Sequence, residues 1–305
     1  MIYTVTVNPS IDYIVQLEKL TLGEVNRMDY DAKLPGGKGI NVSRILKELG
    51  QDNVALGFLG GFTGKFVEDA LKAKKLKTSF THIADDTRIN VKVKAQDETE
   101  INGKGPQVTS EEINAFKKQF DNLTSEDAVI LSGSLVPSLG QDFYFDLIKL
   151  VRSKGAQFVI DTTGESLMKT LKENPLVVKP NHHELAELFG VKFNGIDDIV
   201  TYGKKLLGLG AQHVLISMAG DGGLLITPDE VYYSKAPKGT VINSVGAGDS
   251  MIGGFVGTFA ATKDPVESFR YGLACGSATA FSEDLADRAK IDEILPAIKI
   301  EKYSK

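Results

Sequence analysis

Short, nearly uninterrupted apolar runs alternate along the chain with longer stretches in which apolar residues recur three or four positions apart. Residues 53–58, 128–131, 158–160, 176–178 and 214–216 are runs rich in Val, Ile, Leu and Phe, the pattern of strands buried on both faces. Residues 40–49 carry apolar side chains at 42, 45, 46 and 49, and residues 143–151 carry them at 143, 147, 148 and 151, so each presents one apolar helical face. This strand, helix, strand rhythm predicts an α/β fold, a mostly parallel sheet sandwiched by helices. The opening Met1-Ile2-Tyr3-Thr4-Val5-Thr6-Val7 reads as a first strand, without the basic start and cleavage site of a secretory leader.

Residues 13–17, 24–33 and 88–101 break the rhythm. Ile89, Val91, Val93 and Ala95 alternate with Asn90, Lys92, Lys94 and Gln96, the two-residue period of a strand with one wet face. Such strands do not suit a buried parallel sheet. They predict a small antiparallel β lid, formed by insertions at about 13–33 and 87–102 in a single domain spanning residues 1–305, since no repeat, low-complexity tract or linker divides the chain. A one-layer lid leaves an apolar face to be covered by substrate, by a second copy of the chain, or by both.

Charge narrows the partners. With 35 Lys+Arg against 40 Asp+Glu the net charge is −5, and no run of five basic residues offers a local substitute, so nucleic acid is not expected. The longest apolar stretch, 251–261, includes three glycines and a threonine and falls short of the roughly 20 residues that span a bilayer. No membrane association is expected. Cys275 is alone and forms no internal disulfide, which suits a reducing compartment, the cytoplasm.

Candidate chemistry lies in glycine clusters at predicted strand-to-helix junctions. In Gly246-Ala247-Gly248-Asp249-Ser250, a helix beginning near Gly248 would turn free amides toward an anion, and Asp249 would stand beside a transferring phosphoryl group as general base. A plain helix start with Asp satisfying amides fits the same residues. Pro35-Gly36-Gly37-Lys38-Gly39-Ile40-Asn41 precedes an amphipathic helix and would bring backbone, Lys38 and Asn41 to a polyhydroxylated ligand; a flexible helix entry is the alternative. In Lys179-Pro180-Asn181-His182-His183-Glu184, a helix starting at Asn181 puts Asn181 and Glu184 on one face, suited either to Mg²⁺ or to a capping box. Adjacent histidines should diverge on that helix, and no second His follows His183 at four residues, so zinc is not expected. Gly60 to Phe66 lacks the spacing and the Ser or Thr of a phosphate-binding P-loop, and the 246–251 segment lacks the last glycine of a dinucleotide fingerprint and the second of a nucleophile elbow. Arg88, in Thr87-Arg88-Ile89-Asn90, and Lys104, in Asn102-Gly103-Lys104-Gly105-Pro106, supply the local positive charge that a phosphorylated substrate needs in an acidic protein.

Asn8-Pro9-Ser10-Ile11-Asp12, Gly36 to Val42, Ser132-Gly133-Ser134, Lys179-Pro180-Asn181 with Glu184, and Gly246 to Ser250 follow one another in the order found in the PfkB (ribokinase-like) carbohydrate kinases. The chain resembles that family over essentially its whole length. Within the family, residues 87–92, 99–102 and 283–286 look most like the bacterial 1-phosphofructokinase branch. The resemblance implies a ribokinase-like α/β sandwich with a β lid, often completed across a homodimer, and ATP-dependent phosphorylation of fructose 1-phosphate at its 6-hydroxyl. Kinases of tagatose 6-phosphate or fructose 6-phosphate share most of the motifs, and a non-catalytic sugar-phosphate or nucleotide binder is the alternative from another class.

By resemblance Asp249 is the catalytic base and Gly246, Ala247 and Gly248 form the anion hole. Asp12, Gly37, Lys38, Asn41 and Ser134 are implied at the sugar, with Arg88 and Lys38 holding its existing phosphate and Lys104 assisting. Lys179 is implied at the ATP phosphates, Asn181 and Glu184 at Mg²⁺, Ser217, Gly220 and Gly222 in the nucleotide loop, and Ser277 near the adenosine. Asn26, with Arg27, is placed to reach a partner's site. Three segments depart from the family pattern. Ser217-Met218-Ala219-Gly220-Asp221-Gly222-Gly223 has Ala219 in place of a glycine, Val136 and Ser138 alter the loop after Ser134, and Ser282-Glu283-Asp284 replaces a glycine-containing segment that supports a monovalent cation in some relatives. Potassium is thereby allowed and not required.

Overall fold

The computed structural model describes residues 1–304. In chain order the first elements are β1 (Ile2–Thr6), β2 (Ser10–Gln16), β3 (Tyr30–Gly36), α1 (Lys38–Glu48), β4 (Asn53–Gly60), α2 (Gly61–Ala73) and β5 (Thr78–Ile83). There follow β6 (Arg88–Lys94), β7 (Glu98–Asn102), α3 (Ser110–Lys118), β8 (Ala128–Ser132), α4 (Phe143–Ser153), β9 (Gln157–Asp161) and α5 (Gly164–Leu171). The last are α6 (His182–Phe189), α7 (Ile196–Gly208), β10 (Val214–Ser217), β11 (Gly223–Ile226), β12 (Val231–Ser234), α8 (Ala247–Thr262), α9 (Pro265–Ala280), α10 (Arg288–Ile294) and β13 (Glu301–Lys302).

The expected parallel sheet has the order β5-β4-β1-β8-β9, with every pairing parallel. Its strands are apolar throughout because successive residues feed different cores. Val129 and Leu131 join a cluster on one face with Phe58, Phe116 and Phe158, while Ile130 and Val159 join Ile45, Phe255 and Phe269 on the other. Residues 176–178, expected as a strand, are too short for a regular one. They still make ladder hydrogen bonds, Leu176 N–H to Phe158 O at 2.8 Å and Leu215 N–H to Val178 O at 2.9 Å, and so join this sheet to a second one, β10-β11-β12-β13. Helices α8 and α9 pack closely under the second face. A β-carbon on Gly254 would lie 2.6 Å from Tyr271 O, so only glycine permits that approach.

The lid is a separate sheet of order β3-β2-β6-β7, antiparallel at both flanks and parallel between β2 and β6. Its strands are displaced from the expected ones. The 24–33 segment pairs only from Asp29, whose N–H donates to Gln16 O at 2.8 Å, because Asn26 ties the preceding loop to itself: its side chain accepts from Thr21 N–H and donates to Thr21 O and Glu24 O. Residues 88–101 divide into a hairpin, turning where Ala95 N–H meets Asp97 O. The alternation is used in an unusual sense. Asn90 and Lys92 are buried, 7% and 9% exposed, whereas Ile89 and Ile101 are 43% and 62% exposed. Polar side chains therefore face the cleft beneath the lid, while on the opposite face Ile11 and Val93 are buried and Ile89 and Ile101 stay exposed. Among the described residues no helix is long and apolar enough to cross a membrane.

Candidate active site

Strands β4, β1, β8 and β9 and the 176–181 segment run the same way, so the loops leaving their carboxyl ends gather at one edge, where open α/β sheets bind ligands. Helix α8 starts at this edge. Gly246 is its N-cap in the left-handed region, φ 79°, and a β-carbon there would meet Leu285 Cδ2 at 2.5 Å. Ala247 N–H donates to Ser244 O at 3.2 Å, closing the turn into the helix. The amides of Gly246, Gly248 and Asp249 have no acceptor among the described residues and remain to bind an anion. Lys179 adds charge to the same spot, its Nζ lying 3.1 Å from where a β-carbon on Gly248 would stand.

Asp249 sits in that first turn, 7% exposed, and accepts a hydrogen bond from Asn41 Nδ2 at 2.8 Å. Burial and the repulsion of Asp161 push its carboxyl up to about 7, against the opposing pull of Asn41, Lys38 and Lys179. An acid poised there accepts protons efficiently near neutral pH. Lys38 opens α1 at the same edge. Its stem lies against Gly133 and its ammonium donates to Asp161 Oδ2 at 3.0 Å. Burial would depress its pKa, but Asp161, Asp249 and Glu184 together raise it, so the charge belongs with the carboxylates around Asp249.

Asn181 and Glu184 form the reciprocal capping box of α6: Glu184 N–H donates to Asn181 Oδ1 at 2.8 Å and Asn181 N–H to Glu184 Oε2 at 2.7 Å. This leaves Glu184 Oε1 without a partner among the described residues, and Glu184 is near enough to Lys38 to help raise its pKa. A single free carboxylate oxygen fits a Mg²⁺ ion that keeps water and shares phosphate ligands. His182 and His183 do not diverge. At the first two positions of the helix their side chains have no preceding turn to separate them, and the ring centroids lie 3.9 Å apart.

At the far side of the cleft Arg88 donates to Gly103 O at 2.9 Å and to Asn8 O at 3.0 Å, while its buried Nε–H has no partner. Of the guanidinium's roughly five donors most are therefore uncommitted, although burial lowers its pKa somewhat. Asn8 organises this corner: its amide donates to Lys104 O at 3.1 Å and reaches Ser134 Oγ at 3.5 Å. Asp12 takes hydrogen bonds from Ser10 Oγ at 2.7 Å and Asn90 Nδ2 at 3.1 Å on one oxygen, and Lys92 Nζ lies 3.8 Å from the other. Gly37 caps α1 at φ 132°, where a β-carbon would meet Thr6. The sequence model of the pfkB family carbohydrate kinases matches residues 5–290.

The chain belongs to the pfkB family of carbohydrate kinases. It is 49% identical over 300 residues to the 1-phosphofructokinase of Bacillus subtilis (strain 168), covering 98% of this chain and 99% of the relative. It is 36% identical over 301 residues to the D-tagatose-1-phosphate kinase of Bacillus licheniformis, again covering 98% and 99%. The structure of Escherichia coli phosphofructokinase-2 in complex with substrates and products matches with a TM-score of 0.92 at 27% identity, over 97% of this chain and 98% of that one. The expected ribokinase-like sandwich with a β lid is the fold observed.

Against the pfkB pattern the departures acquire a structural meaning. Ala219, at the family's glycine position after Ser217, adopts φ 49°, so the 217–223 loop keeps its left-handed turn at the cost of side-chain strain. Gly222 retains φ 93°, with no room for a β-carbon beside Ser234 O, whereas Gly220 faces open space. Ser277 lies on α9 next to Gly276, which backs onto Ala247 O. Its carbonyl only closes the last turn on Phe281, and no contact joins Ser277 or Gly220 to Asp249. Asn8, Ser10 and Asn90 stand in the motifs quoted from the sequence but were given no role there, and Asp161 was not named. Its signal is an acid directly after the apolar run of β9 and hence at the carboxyl edge of the sheet.

Proposed function

We propose that this pfkB kinase transfers the γ-phosphoryl group of ATP to the 6-hydroxyl of fructose 1-phosphate, giving fructose 1,6-bisphosphate and ADP. The observation that carries the reading is the buried Asp249 carboxylate, pushed to about 7, in a helix turn with free amides and beside Lys38 and Lys179. Asp249 takes the proton as the 6-oxygen attacks phosphorus and the bond to the ADP oxygen breaks. The amides of Gly246 and Gly248 and the ammonium groups of Lys38 and Lys179 stabilise the charge that spreads over the transferring group. Arg88, with Lys104 and Ser134, binds the phosphate already on the sugar. Asp12 and Asn41 orient its hydroxyls, and Gly37 lets the backbone approach.

Ser217, Gly220 and Gly222 contact the nucleotide in this reading, and Ser277 lies near the adenosine. Glu184, held by Asn181, is the residue that would carry Mg²⁺ through its free oxygen; when bound, the ion supplies charge neutralisation at the phosphates. Residues 1–305 act as one unit in the cytoplasm, in keeping with a lone, buried cysteine. Two copies pair through the apolar face of the lid, where Ile89 and Ile101 are exposed. Asn26 serves its own loop, leaving Arg27 as the residue of that pair free to reach across.

The D-tagatose-1-phosphate kinase relative favours a second reading, in which the substrate is the 4-epimer with the phosphate still on carbon 1. Both are tested by ADP release from Mg-ATP with fructose 1-phosphate, tagatose 1-phosphate, tagatose 6-phosphate, fructose 6-phosphate and free fructose side by side, with Asp249→Asn as control. Preference for fructose 1-phosphate that vanishes in the variant supports the proposal. Preference for another ketose phosphate overturns the substrate, and undiminished turnover in Asp249→Asn overturns the base.

A further inference from the structure

Arg44 is a buried cation that the phosphoryl-transfer reading does not use. It lies on α1, 9% exposed, three residues after Asn41, and so on the same helix face as the residue that holds Asp249. Its guanidinium grips Asp284 with both terminal nitrogens, Nη1 to Oδ1 at 3.1 Å and Nη2 to Oδ2. Burial alone would raise the Asp284 pKa, yet Arg44 holds it below the ordinary value, so the pair is ionised. Bidentate guanidinium–carboxylate pairs fix geometry as well as charge.

What this grip fixes is the segment that enters the anion hole. The neighbour on one side, Glu283, accepts a hydrogen bond on its carbonyl from Asn243 Nδ2 at 3.0 Å, and Asn243 Oδ1 in turn accepts Val245 N–H at 3.1 Å. The neighbour on the other side, Leu285, lies so close to Gly246 that no β-carbon fits between them. Residues 243–246 are thus held from Asp284 by one polar and one apolar contact, while Asn41 holds Asp249 from the same helix. A displacement of about 1 Å at a reacting centre costs on the order of a hundredfold in rate.

We propose that Arg44 is a positioning residue for phosphoryl transfer, acting through Asp284 to hold the Gly246 to Asp249 turn in register with the base-holding Asn41. The proposal rests on the reading of that turn as the anion hole and base. Steady-state kinetics of Arg44→Lys, Arg44→Ala, Asp284→Asn and the double variant Arg44→Ala with Asp284→Asn test it, with Asp249→Asn in parallel. Arg44→Ala and Asp284→Asn should each lower kcat about tenfold or more while both KM values stay within about threefold, the double variant should be no worse than either single one, and added guanidinium ion should restore part of the Arg44→Ala loss. Arg44→Lys, which keeps the charge and loses the fork, should fall severalfold in kcat alone and remain folded. A raised sugar-phosphate KM with unchanged kcat would make Arg44 a substrate contact, and unchanged kinetics with a lowered melting temperature would make it a structural pin; either overturns the proposal. Should Asp249→Asn itself keep its turnover, it is the reading of the site that fails instead.

Discussion

Replacing Asp249 by Asn should abolish turnover and, at alkaline pH, stabilise the fold. The carboxyl releases its proton near 3.8 in the unfolded chain and near 7 in the folded one, so between those values the folded protein holds the extra proton and its stability falls as pH rises. Above about 7 the cost is complete: a shift from 3.8 to about 7 amounts to as much as about 4 kcal/mol, at about 1.4 kcal/mol per tenfold. At pH 5 only the part between 3.8 and 5 has been incurred, about 2 kcal/mol. The Asn side chain does not ionise, is not repelled by Asp161, and can still accept from Asn41 Nδ2 through its carbonyl. Urea unfolding of the ligand-free proteins at pH 5 and pH 8 should therefore show the variant gaining on the wild type, and gaining more at pH 8. The same group requires kcat/KM of the wild type to climb with pH through about 7. A gain equal at both pH values, or a variant less stable than the wild type at pH 8, would refute the view that burial and Asp161 hold this acid up.

Arg88→Ala removes charge-assisted hydrogen bonds of about 1.5–3 kcal/mol, so KM for the phosphorylated sugar should rise roughly 10- to 100-fold while any slow turnover of free fructose is unchanged; competition kinetics measure both. Ala219→Gly relieves a left-handed alanine and should raise stability by up to about 1 kcal/mol in thermal melts, with KM for ATP no worse. Ile101→Glu places a charge on the open lid face, and sedimentation velocity should show a smaller species than the wild type at equal concentration.

The sheet was legible because β8 and β9 are apolar on both faces, and the sequence shows that directly as unbroken runs. The Asn181–Glu184 box and the start of α8 were legible because helix ends are local, written within four or five residues. The rest depended on distant partners. Arg44 and Asp284 are 240 positions apart, and neither has a neighbour that betrays the other. Lys38 sits in a motif suggestive of sugar binding, yet Asp161, 123 residues on, draws its ammonium toward the base. In the 24–29 segment Val25 and Met28 have the composition of a strand, but Asn26 folds the loop back on Thr21 and Glu24, and pairing with β2 begins only at Asp29.

Strand β6 carries two separate texts on one backbone. Its pleat sends Asn90 and Lys92 to the cleft, where Asp12 and Glu100 receive them, and Ile89 to the outside. Substitutions along it should alternate in what they disturb, one position altering which sugar is accepted and the next altering how copies associate. Substrate choice and quaternary structure are then free to drift independently, because a side chain on one face is invisible to the other. A single-residue deletion in this strand is the exception. It would exchange the two faces at once, putting isoleucine against the sugar and lysine on the exterior, so point changes here are separable where insertions and deletions are not.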